Sequence, residues 1–165
     1  MSDKSKKIYL AVTIIVPFML YCVYYYSQMI KKAPFRSTDF ESFVLKYGEG
    51  DDLINQYDSK TGTFQYLNQR DSLIHTVVKL RKDDLLYLHY KAAELGFWNL
   101  PDELIMSDST EESQLSPHFY LEMNYKEKSK SVLIDARYKG NSKMYDAAKS
   151  VINVAQQVIK DAEDR

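Results

Sequence analysis

Apolar and polar positions alternate with different periods along this chain, and each period predicts an element. From Ile8 to Ile30 there is no charged residue, and the run is flanked by Lys6-Lys7 and Lys31-Lys32. A bilayer core of roughly 30 Å takes about 20 helical residues to cross, so the run predicts a transmembrane helix. Pro17 removes one backbone donor and predicts a kink or a tilt. Tyr9 at one end, and Tyr21, Tyr24, Tyr25 and Tyr26 at the other, suit the headgroup level. Two other readings of the run compete with this one. A cleaved signal peptide lacks its small-residue cleavage pattern, and a lipoprotein site at Cys22 has Tyr21 where a small residue belongs. The pattern favours an uncleaved single-pass signal anchor, with residues 1–7 as a basic tail inside. Residues 40–165 then form an extracytoplasmic domain behind a 31–39 linker.

After the linker the period drops to two. Phe43, Leu45 and Tyr47 alternate with Ser42, Val44 and Lys46, which predicts a strand ended by the turn at 48–52. The runs 53–58 and 63–67 flank Ser59-Lys60-Thr61-Gly62 and predict a hairpin with Gly62 at positive φ. Ser72–Leu80 predicts a fourth strand, with Ile74, Val78 and Leu80 on one face and His75 and Lys79 on the other. The period then lengthens. Leu85, Leu88, Ala92 and Leu95 predict a helix over 82–95, started by Asp83-Asp84 and capped by Gly96.

Phe97-Trp98-Asn99-Leu100 predicts a plug docking that helix on the sheet. Residues 102–117 are the longest polar stretch and predict a loop, with a helical turn at 103–106. Phe119–Tyr125 and Ser131–Tyr138 predict a second hairpin around 126–130. A final helix is capped by Asn141 or Ser142, and Met144, Ala148, Val151, Ile152, Ala155, Val158 and Ile159 share its apolar face. The order β-β-β-β-α-β-β-α, with short connections, predicts an α+β domain. It would be an antiparallel sheet carrying both helices on one face.

Composition narrows the function classes. The net charge is −1, and from Lys31 onward 19 basic residues face 22 acidic ones. No strong field results, so nucleic acid is not an expected partner. Cys22 is the only cysteine, which leaves residues 40–165 without a disulfide or thiolate chemistry.

No constellation for catalysis is visible. His75, His89 and His118 are the only histidines and are expected at surfaces or edges. There is no nucleophile elbow, H-x-x-x-H, C-x-x-C, EF-hand loop or phosphate loop. Asp83-Asp84 and Asp102-Glu103 are explained by helix N-terminal charge, and 108–112 by a solvated loop. No cofactor, metal or small-molecule substrate is implied. The remaining feature is aromatic. Tyr57, Tyr66 and Tyr120 are the candidates for binding a partner from an exposed sheet face.

The expectation is therefore a non-enzymatic interaction domain with a protein or cell-envelope partner beside the lipid bilayer. The alternative is an accessory subunit of a membrane complex, recruited through its transmembrane helix. A hydrolase with scattered acidic catalysts is the third reading.

Overall fold

In the computed structural model, the backbone is described for residues 3–31, 35–105 and 116–165, and the α1 side chains for Tyr9–Tyr25. Two units result, Met1–Pro34 and Phe35–Arg165.

The first unit is one helix, α1 (Asp3–Lys31), with Pro17 inside it. Its described apolar side chains are exposed, and Thr13 folds its hydroxyl back onto the Tyr9 carbonyl at 2.8 Å. Among the described residues no helix is long and apolar enough to cross a membrane. This corrects the transmembrane reading, and with it the single-pass anchor, the inside N-terminus and the extracytoplasmic placement. Tyr9 at one end of the run, and Tyr21, Tyr24 and Tyr25 crowded at the other, suit a polar boundary better than hydrocarbon. Tyr9, Tyr21, Tyr24 and Tyr25 stand on α1, with Tyr21 and Tyr25 stacked at 6.1 Å. The Tyr26 side chain and Pro34 lie outside the described residues.

The second unit is α+β. Its strands are β1 (Phe40–Glu49), β2 (Asp52–Asp58), β3 (Thr63–Leu67), β4 (Leu73–Val77), β5 (Glu103–Leu104), β6 (Pro117–Tyr125) and β7 (Ser129–Asp135). Its helices are α2 (Lys82–Glu94) and α3 (Ser142–Glu163). The strands form one sheet in the order β4-β3-β2-β1-β6-β7-β5. All neighbours are antiparallel except β5 and β7, which run parallel.

The sheet is thus mixed, not the antiparallel sheet that short connections predict. Glu103–Leu104 is a strand where a helical turn was expected. The backbone there pairs with β7, and Leu104 is fully buried, which outweighs weak local helix preference.

The strand alternation sorts the two sheet faces. Phe43, Leu45, Tyr57, Leu121, Met123, Val132 and Ile134 point to one side and are buried against α2 and α3. Leu88 and Ala92 from α2, and Val151, Ile152, Ala155 and Ile159 from α3, close that core. Each large apolar side chain so buried is worth roughly 1.5–3 kcal/mol.

Local chemistry fixes the ends. The Asn141 Oδ1 accepts from Lys143 N at 3.1 Å and Met144 N at 3.3 Å, so Asn141 is the cap of α3. Arg81 N donates to Asp84 Oδ2 at 2.8 Å, and Arg165 reaches the same oxygen at 2.7 Å, joining the start of α2 to the end of α3. Burial pushes the Asp84 carboxyl up, but the Arg165 and Arg81 contacts outweigh it and hold the group below its usual range. Gly62 has φ +74° and its N–H closes the β2–β3 turn onto the Asp58 carbonyl, as its position predicts. Behind α2, Phe97 is the fully buried plug, while Trp98 stays at the rim against Phe35 (5.2 Å) and His89 (5.3 Å).

Candidate functional site

The other face of the sheet carries neither α2 nor α3. Register decides what it shows. Lys46 stands opposite Gln56, Gln56 opposite Gln65, and Gln65 opposite His75, so one polar row crosses four strands. On its other side Lys46 faces Tyr120, which extends the row onto β6. A second row lies beside it: Glu122, Val44, Asp58, Thr63 and Val77. An open groove of about 530 Å³ lies here. Lys46, Gln56, Asp58, Gln65, His75 and Val77 line it.

Several of these side chains are held in place. Gln65 Nε2 donates to the Ile54 carbonyl at 2.8 Å, and Gln56 Nε2 to that of Leu53 at 3.0 Å. The Tyr120 hydroxyl donates to Glu122 Oε2 at 2.7 Å, and the Lys46 ammonium lies 5.9 Å from the centre of the Tyr120 ring. Burial, then the Glu122 carboxylate, raises the Tyr120 hydroxyl above its usual range, so it stays a donor. Asp58 Oδ1 accepts from Lys60 N at 2.8 Å. The face therefore offers fixed amides, one cation and two carboxylates in neighbouring rows. Such a surface can hydrogen-bond an extended chain. His75 is exposed and has no hydrogen-bond partner among the described residues, so nothing orients it as a base.

The three tyrosines singled out from sequence do not converge. Tyr57 is fully buried, and its hydroxyl donates to the Val78 carbonyl at 2.9 Å. Its ring is closed to a partner by the core itself. Tyr66 is half-buried on the helix-bearing face, 4.9 Å from the Phe64 ring. Only Tyr120 stands on the bare face. The Lys46–Gln56–Gln65–His75 row was not singled out, because each residue marks only an outward position in its own strand. Register, which sequence spacing does not give, is what aligns them.

A second polar cluster is buried. Ser116 Oγ donates to Asp135 Oδ1, and Arg137 N donates to the same oxygen at 2.7 Å. His118 Nε2 lies 3.8 Å from Asp135 Oδ2, and His118 Nδ1 donates to the Gly50 carbonyl at 2.6 Å. Ser, His and Asp meet here, but not as a catalytic relay. The serine bonds the carboxylate rather than the imidazole, and it is fully buried. Instead the cluster pins the β1–β2 turn to the start of β6 and the end of β7.

The histidines also depart from expectation. His89 and His118 are buried rather than at surfaces. Burial holds the His89 imidazole below its usual value, and its Nδ1 meets the Tyr125 hydroxyl at 2.9 Å. Among the described residues no group of three or more His, Cys, Asp or Glu could hold a metal ion. The 108–112 acidic stretch lies outside them. No family model matches the chain, and no curated protein matches it.

Proposed function

We propose that the chain is a non-enzymatic interaction module whose bare sheet face holds an extended segment of a protein partner. The observation that carries this reading is the aligned polar row from Tyr120 to His75 above a groove of about 530 Å³. Amides already fixed by the backbone lose little entropy on meeting a partner, which favours recognition of chain over catalysis on a small molecule. Tyr120 supplies the aromatic contact that interfaces favour, with the Lys46 ammonium beside its ring.

A photoreactive residue placed at Gln65 in the full-length chain tests this directly. Adducts should form at Gln65 and not at Asn153 on α3, and Lys46→Glu should reduce them. Equal labelling at both positions sinks the reading.

A second reading has its own observation. Along α1, Leu10, Ile14, Phe18 and Leu20 are more than 60 % exposed. Apolar surface of that extent marks a contact site, so recruitment into a larger assembly through α1 is the alternative. Adducts formed from Ile14 and absent from Gln65 would favour it.

A further inference from the structure

β4 is an outer strand of the sheet, and its edge, unpaired among the described residues, has an unusual symmetry. Val78 N donates to the Gly62 carbonyl and Asn68 N to that of Ser72. With the β3–β4 register, the antiparallel alternation turns the backbone groups of Ile74 and Thr76 inward to β3. Those of Leu73, His75 and Val77 then point outward. Edges in stable monomers are usually blunted by lysine, proline or a bulge. None of these interrupts Leu73–Val77. Instead Leu73 and Val77 are 46 % and 63 % exposed.

We infer that β4 pairs antiparallel with β4 of a second copy of this chain, about a twofold axis at His75. The sequence around that point is self-complementary. In this register Leu73 faces Val77 of the other copy and Ile74 faces Thr76, each pair occurring twice. Every outward-pointing backbone group then meets another outward-pointing group, which a shift of one residue would forbid. Asp71, in the turn before the strand at φ +53°, and Lys79, just after it, are both exposed, so each end of the seam brings a carboxylate of one copy near an ammonium of the other. Leu73, His75 and Val77 share the groove-bearing face, so pairing sets two grooves side by side on one continuous sheet. This inference stands apart from what the groove holds.

The test uses full-length chain carrying Cys22→Ser. His75→Cys places a thiol on the axis, where facing residues of a bonded antiparallel pair sit about 5.5 Å apart, within disulfide range. Under mild oxidation it should cross-link at least tenfold faster than Lys160→Cys on α3. Adding Lys79→Glu should slow this about tenfold, since it replaces two attractions with two repulsions. Combining Asp71→Lys with Lys79→Glu should restore it.

Cross-linking no faster than at Lys160, or indifferent to both charge changes, overturns the proposal. So does sedimentation of the unmodified chain as a monomer at every concentration, which depends on no variant folding. A foreign strand occupying β4 would give the first of these results.

Discussion

Tyr57 shows how a single hydroxyl is placed by the core around it. Its ring lies 5.6 Å from that of Phe43 and 5.8 Å from that of Phe64, and its oxygen closes the Val78 carbonyl beyond the end of β4. Tyr57→Phe keeps the packing and leaves that carbonyl unmet, so denaturant unfolding should show a loss of about 1–3 kcal/mol. Burial pushes the Tyr57 hydroxyl up to about 12, with Asp58 and Asp84 adding in the same sense. The folded chain then keeps a proton that the unfolded chain releases from pH 10 upward. Stability should be fully present below pH 10 and fall between about pH 10 and 12, less steeply in Tyr57→Phe.

His89 works in the opposite direction. Its pKa is lowered by burial, so the unfolded chain takes up the proton first. Its contribution is complete above about pH 6.5 and is lost as pH falls below that. His89→Gln should flatten that acid limb, read by the fluorescence of Trp98, the only tryptophan. At this scale the sequence was half legible. Tyr120 and Tyr57 both sit in β-rich runs, but only the register tells which ring faces α2 and α3.

Elements defined by a long period were the easiest to read. Leu88, Ala92, Ala148, Val151, Ile152, Ala155 and Ile159 recur at helical spacing and are all buried, whereas of β1 to β4 only β4 alternates strictly in burial, and it ends at Val77 rather than Leu80. β5 was not legible, because two residues are too few to show a period and only pairing with β7 defines them. The same holds for Ser116, His118 and Asp135, which lie in no motif. They meet because β6 and β7 are in register at His118 and Asp135.

That cluster makes a test at the level of elements. Asp135 is 1 % exposed, and removing it with Asp135→Leu strands Ser116 Oγ, Arg137 N and His118 Nε2. Loss of one partner of a buried charged network costs about 3–5 kcal/mol. Asp135→Asn keeps the shape and should cost less. A double-mutant cycle of Asp135→Asn with His118→Gln should be non-additive by about 0.5–3 kcal/mol. Additive effects would mean that the two side chains stabilise their strands separately.

At the scale of the whole molecule, the chain divides into two units. The apolar run of α1 was plain in the sequence, and its helical state follows, but an apolar run does not by itself establish a crossing, and among the described residues no helix is long and apolar enough for one. The second unit was legible in class, and in element order except for β5, because its core alternation and its helical stripes agree on one buried face. Every residue of that core, and of the shell packed on it, lies at Phe35 or beyond. Phe35 itself fixes the boundary: its ring stacks on Trp98 and meets Tyr125 edge-on at 4.8 Å. A chain beginning at Phe35 should therefore fold alone. Its urea midpoint should match that of the same transition in the full-length chain to within about 0.5 kcal/mol of stability. Phe35→Ala in that shortened chain should cost about 3 kcal/mol or somewhat less, because the ring is only half-buried. Collapse of the shortened chain without the Phe35 change would show that α1 completes the core. A stable one that still labels from Gln65 would assign recognition to the sheet face rather than to α1.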